Sequence, residues 1–176
     1  MSSQTPKSIQ RIIRVNHAGE YGAKRIYQAQ IDVLGHTEIG DDLRHMYDQE
    51  KVHLDTFDKM ITERQIRPTV LSPLWHMGAY AMGYVTGKMG PEAAMACTEA
   101  VEEVIEEHYE NQVRHLKENM PEEQALCDTI EQFCAEEIEH RDLARQRDAH
   151  KSPAYPILKE TIKSITKMAI FFSKKL

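Results

Sequence analysis

Residues 20–30, EYGAKRIYQAQ, and residues 102–112, EEVIEEHYENQ, carry Glu, Tyr and Gln at the same offsets: Glu20, Tyr27 and Gln30 in the first, Glu102, Tyr109 and Gln112 in the second. Seven residues is nearly two helical turns, so the Glu and Tyr of each window share a helix face. Each window is followed by a Glu-x-x-His. Glu50 of the first lies 30 residues beyond Glu20, and Glu137 of the second lies 35 residues beyond Glu102. Both motifs extend to Glu-x-x-His-x-Asp, through His53 and Asp55 and through His140 and Asp142. The chain reads as two related helical hairpins.

Residues three apart project from one face of a helix, so Glu-x-x-His offers a carboxylate and an imidazole to one point in space. That donor pair suits a metal taking nitrogen and oxygen ligands. Alone the motif is weak, because 19 Glu and 9 His in 176 residues supply about one by chance at the helix spacing. The repeat gives it weight. A pseudo-twofold pairing of the hairpins brings one Glu from each of two helices and one Glu-x-x-His from each of the other two to a common centre. This is the ligand set of ferritin-like di-iron carboxylate proteins. The candidate ligands are Glu20, Glu50, His53, Glu102, Glu137 and His140. Tyr109 and Gln112 select Glu102 over Glu103, and His140 selects Glu137 over Glu136 and Glu139, which are left to solvent or supporting contacts. Two Fe(II) ions would offset the charge of four buried carboxylates, so metal is expected to stabilise the fold.

The rest of the acidic run, Glu99, Glu103, Glu106, Glu107 and Glu110, reads as a solvated face. His17, His36, His45, His76, His115 and His150 lack a ligand context and are expected at the surface or partly buried with satisfied partners. Tyr27 and Tyr109 either line an access channel or pack in the core. No Gly-rich nucleotide fingerprint, nucleophile elbow or paired C-x-x-C competes with the metal site.

Breakers and apolar spacing predict core helices at about 7–35, 39–65, 91–118 and 122–149 and accessory helices at about 72–88 and 153–173, with Pro91, Pro121 and Pro153 in first turns. The fold class is all-α, a ferritin-like four-helix bundle with two additional helices, and residues 1–176 suit a single domain. An odd set of three cysteines, Cys97, Cys127 and Cys134, suggests buried reduced thiols. Residues 1–11 have no apolar region of a secretory leader. The net charge of −6 divides as +5 over residues 151–176 and −11 over the rest, an acidic body that argues against nucleic acid as a partner. Residues 69–87 contain no Asp, Glu, Lys or Arg. Pro73, Gly78, Gly83, Gly87 and His76 make this segment less apolar than a spanning helix, so it reads as interfacial or buried. The last helix is amphipathic and basic, with Leu158, Ile162, Ile165, Ala169, Phe172 and Leu176 on one stripe. Its lysines suit either a solvated face on a docked helix or anionic lipid, and the two membrane-facing candidates together favour lipid.

The strings NHAGEYGA (16–23), DQEK-x-H (48–53), RPTVL-x-PLW (67–75), AMACT (94–98), VEE (101–103) and EE-x-EH (136–140) resemble the demethoxyubiquinone hydroxylase family of ubiquinone biosynthesis, from about Ile12 to the C-terminus. The resemblance implies six ligands at Glu20, Glu50, His53, Glu102, Glu137 and His140, holding two Fe ions. It implies hydroxylation of the ring of a polyprenyl demethoxyquinol with O2, NADH or another reductant supplying electrons, and it matches His108 and Tyr109 to a pair that helps pass them from the quinol. It also implies a peripheral inner-membrane protein with a lipid-binding accessory partner, on the cytoplasmic face if bacterial or the matrix face if mitochondrial. A homo-oligomer through the apolar third helix stays open. The ligand set alone also suits a ferritin-like iron oxidase or peroxidase, and the apolar and lysine-rich segments alone suit a membrane-associated scaffold of a quinone-biosynthesis complex.

Overall fold

The computed structural model describes residues 5–176, so the first four residues of the 1–11 stretch read for a leader lie outside the described residues. Among the described residues the regular elements are six α-helices and two single turns of 3-10 helix, with no strand. The helices are α1 (Lys7–Leu34), α2 (Gly40–Glu63), α3 (Ser72–Met89), α4 (Pro91–Asn119), α5 (Gln124–Gln146) and α6 (Tyr155–Ser173). They fall into two compact units: the described residues up to Lys88 with Lys167–Leu176, and Met89–Thr166.

In the first unit α1 and α2 form an antiparallel hairpin. Its core stripe contains Ile9, Ile13, Ile26 and Leu34 of α1 and Leu43, Met46, Phe57 and Ile61 of α2, all buried. Glu20, Gln30, Glu50 and His53 are buried along the same helices, in positions where a structure built only for stability would place apolar groups. The uncharged α3 packs on α1 through small residues. Ala79, Gly83 and Gly87, four apart, are buried, and a Cβ on Gly83 would stand 2.3 Å from the Ile26 carbonyl oxygen. This small-residue stripe lets two helix backbones approach closely without relying on large side chains. Polar contacts flank it: Tyr21 Oη lies 2.5 Å from His76 Nδ1, Tyr80 donates to Asp32 at 2.7 Å, and the Arg25 guanidinium sits 4.7 Å from the Tyr80 ring centroid. Leu74, Met77 and Val85 of α3 are left exposed, as are Met168, Phe171, Phe172 and Leu176. Trp75 Nε1 donates to Ser173 Oγ at 2.9 Å, fastening the start of α3 to the C-terminal segment. Among the described residues no helix is long and apolar enough to cross a membrane.

In the second unit Gly90 has φ +117°, a backbone that L side chains rarely adopt, and it delivers the chain into α4 with Pro91 in the first turn. The buried stripe of α4 includes Met95, Val101, Ile105 and Leu116, and that of α5 includes Leu126, Ile130 and Phe133. Cys97, Cys127 and Cys134 are buried and lie outside any disulfide among the described residues, as expected.

Three helix ends differ in detail from expectation. Pro121 opens a 3-10 turn, Pro121–Glu123, ahead of α5, and α5 stops at Gln146 because Asp148 turns left-handed at φ +62° before a second such turn, Ala149–Lys151. Pro153 does not start the last helix. Ala154, at φ +53°, cannot continue an α-helix, so α6 begins at Tyr155 and Pro156 occupies its first turn.

Candidate metal centre

Each unit gathers three of the residues nominated by the repeat. In the first, α1 supplies Glu20 and α2 supplies Glu50 and His53, at 3%, 0% and 0% exposure. His53 Nδ1 lies 3.5 Å from a Glu20 carboxylate oxygen. One ligand atom from each of the three residues lies within 4.8 Å of the others. Two donors bound to one ion at about 2.1 Å stand at most about 4.2 Å apart, so small rotamer adjustments would bring the triad to coordination distance.

The second unit repeats the arrangement with Glu102 on α4 and Glu137 and His140 on α5, each at 1% exposure. His140 Nδ1 lies 3.0 Å from Glu137 Oε2, and one ligand atom from each of the three again lies within 4.8 Å of the others. The flanking members of the repeat are buried in both units: Tyr27 and Gln30 in one, Tyr109 and Gln112 in the other. The sequence repeat is therefore a repeat of inward positions. His108 is partly buried, its ring centroid 6.3 Å from that of Tyr109 and its Nε2 2.8 Å from the Gln112 side-chain nitrogen.

Each cluster of carboxylates and imidazole is compatible with metal binding. An ionised carboxylate removed from water costs several kcal/mol unless a cation or hydrogen bonds offset it, and each triad concentrates two such groups with an imidazole. Mixed oxygen and nitrogen donors suit iron or another first-row divalent ion.

The acidic run is only partly the solvated face expected of it. Glu107 and Glu110 are exposed, but Glu99 is buried and Glu103 and Glu106 are half-buried. Glu99 accepts hydrogen bonds from Tyr155 Oη at 2.6 Å, Lys159 Nζ at 2.9 Å and Arg145 Nε at 2.9 Å. Glu103 accepts from Lys159, Lys163 and Arg145 at 2.6, 2.9 and 2.7 Å, and Glu106 is bonded by Arg141. Burial alone would push the Glu99 carboxyl up, but these donors outweigh it and hold Glu99 below the usual carboxylate range. The same balance holds Glu103 down to about 2. Burial opposes the charge of Lys159, yet its carboxylate partners raise it above an ordinary lysine. Lys159 and Lys163 thus serve to seat α6 on its own unit through ion pairs. Sequence reasoning missed this network because its members lie up to 60 residues apart.

His36, His45, His115 and His150 are exposed, as expected of histidines without a ligand context, whereas His17 and His76 are partly buried and bonded to Asp58 and Tyr21. Glu136 accepts from Gln132 and Glu139 is exposed, in keeping with their assignment away from the ligand set.

The chain matches the family described as Ubiquinone biosynthesis protein COQ7 over residues 7–173. The NADPH-dependent 3-demethoxyubiquinone 3-hydroxylase, mitochondrial, of Bos taurus is 48% identical over 171 residues, covering 97% of this chain and 79% of that protein. The Homo sapiens protein of the same name is 48% identical, covering 96% of this chain and 78% of that protein. The 3-demethoxyubiquinol 3-hydroxylase of Rhodospirillum rubrum is 47% identical, covering 95% of this chain and 78% of that protein. The match runs through both Glu-Tyr-Gln helices and both Glu-x-x-His motifs, so this all-helical, ferritin-like chain belongs to the COQ7 family of ubiquinone biosynthesis proteins.

Proposed function

We propose that this hydroxylase converts the ring of a polyprenyl demethoxyquinol to its hydroxylated product with O2, using iron held by Glu20, Glu50, His53, Glu102, Glu137 and His140, with residues 1–176 acting as one domain. The chain is an oxidoreductase of ubiquinone biosynthesis, and its relatives carry the name demethoxyubiquinone hydroxylase. The observation that carries the metal reading is the pair of buried Glu-Glu-His triads on repeated hairpins. When bound, a pair of irons supplies O2 activation, which these side chains cannot perform alone. The side chains supply charge balance, a fixed donor geometry and exclusion of bulk water, and the burial of Tyr27, Gln30, Tyr109 and Gln112 around them limits side reactions.

The electron donor is NADPH, named for the mitochondrial relatives, NADH, or another reductant, and His108 with Tyr109 forms the route by which electrons leave the quinol. A polyprenyl quinol is almost insoluble in water, so its enzyme collects it from lipid. Support for this comes from exposed Leu74, Met77 and Val85 on α3 and Met168, Phe171, Phe172 and Leu176 at the C-terminal end, all within the first unit. These side chains would rest in the inner-membrane interface, facing the matrix in mitochondria or the cytoplasm in bacteria, and they also offer a face for a lipid-binding accessory protein or a second copy.

The test is aerobic turnover of a demethoxyquinol by the purified, iron-loaded protein with a reductant. Ring hydroxylation is expected, and its loss in a stably folded Glu50→Ala variant separates chemistry from scaffolding. Iron oxidation or peroxide consumption without ring hydroxylation would favour a ferritin-like oxidase instead.

A further inference from the structure

His17 and Asp58 lie outside the ligand set but form the next rung of the same helix pair. His17 precedes Glu20 by one turn of α1, and Asp58 follows His53 on α2. Glu20 meets His53 at 3.5 Å, and Asp58 Oδ1 meets His17 Nε2 at 2.9 Å. In an antiparallel pair these are successive rungs, about 4.5 Å apart along α1 and about 7.5 Å apart along α2. They differ in access to water. The His53 and Glu20 side chains are 0% and 3% exposed, whereas His17 is 12% and Asp58 58% exposed. The second ring nitrogen of His17, Nδ1, is buried and has no hydrogen-bond partner among the described residues. One nitrogen therefore meets a carboxylate open to solvent while the other is sealed within the protein.

We propose that Asp58 and His17 carry protons between solvent and the buried ligand cluster. The inference rests on the hydroxylase reading above for its purpose. Replacing a ring C–H by C–OH puts one atom of O2 into product and the other into water. The balance requires two electrons, from the reduced nicotinamide or other reductant, and two protons. Those protons must reach a site whose ligands in this hairpin are at most 3% exposed. An imidazole suits the task because it has two ring nitrogens and can accept a proton at Nε2 while releasing one from Nδ1. Asp58 attracts the proton to Nε2 and steadies the transient imidazolium, and Glu20 is the nominated ligand one turn further along α1.

The test uses His17→Gln and Asp58→Asn. Both variants should bind Zn2+ with wild-type stoichiometry. Metal binding displaces protons from the ligands, and that release, followed with a pH indicator by stopped flow, should slow about tenfold or more. Added imidazole should restore the rate in His17→Gln. With iron, ring hydroxylation should fall on the order of a hundredfold and show a larger solvent deuterium isotope effect than the wild type. Proton release at the wild-type rate, slowed release that imidazole does not restore, or loss of bound zinc in both variants would overturn the proposal. Asp58 is exposed, so Asp58→Asn carries the test if His17→Gln does not fold. A wild type that releases protons through this route but does not hydroxylate the quinol would overturn the enzyme reading alone.

Discussion

Glu50 is fully buried beside Glu20 and His53, and its charge is tolerable only when something positive offsets it. The effect of neutralising it should therefore reverse with metal. In metal-free protein, Glu50→Gln should be neutral or stabilising by about 1–3 kcal/mol, whereas in iron-loaded protein it should lower both bound iron and melting temperature. Thermal melts with and without chelator, alongside iron quantification, check the crossing. Glu99 gives the opposite pattern. Its folded-state pKa is lowered by Tyr155, Arg145 and Lys159 against the upward push of burial, so its contribution to stability is present above the ordinary carboxylate range and lost as pH falls. At pH 7 Glu99→Gln should cost about 1–3 kcal/mol, and the gap to wild type should close as pH is lowered from about 5 toward the folded-state value. Urea denaturation across that range would measure it. The burial of Glu102 beside Glu137 and His140 was legible in sequence because the Tyr109 and Gln112 offsets repeat those of Tyr27 and Gln30. The burial of Glu99 was not, because a run of glutamates looks the same whether water or a distant lysine answers it.

At the scale of the helix, α3 tests packing against propensity. Gly83→Ala would gain about 1 kcal/mol by helix propensity, but the new Cβ would stand 2.3 Å from the Ile26 carbonyl oxygen, backbone that cannot move aside. Contact should win, with a net loss of about 1–3 kcal/mol and a melting temperature several degrees lower. The outer side of the same unit carries a separate expectation. Met77→Glu with Phe171→Glu, at exposed sites, should leave thermal stability nearly unchanged and reduce co-sedimentation with anionic vesicles several-fold. The uncharged run at 69–87 correctly marked α3 as unusual. The lysine pattern of α6 misled in part, because amphipathic spacing shows that a face is basic but not what faces it. Lys159 and Lys163 answer Glu99 and Glu103, contacts that arise only once α6 docks.

At the scale of the molecule, the duplicated hairpin was readable because each half buries its Glu, Tyr and Gln at equivalent positions, so inward-facing selection left the same spacing twice. Helix ends were less readable where left-handed residues, Asp148 and Ala154, decide them, since neither residue type announces that conformation. A cluster of buried carboxylates and imidazoles also makes fold and function share one energy term: iron at a hundred times its dissociation constant should stabilise the protein by about 2.7 kcal/mol, visible as a chelator-reversible rise in melting temperature. The proposed role of these buried Glu and His residues is to hold the iron that hydroxylates a quinol ring. Its most direct test is turnover of a demethoxyquinol under 18O2 by protein with quantified iron, with mass spectrometry of the quinone product. One 18O atom in the product ring and about two irons per chain are expected. Iron-loaded, folded protein that consumes O2 and reductant but leaves the ring unlabelled would contradict it.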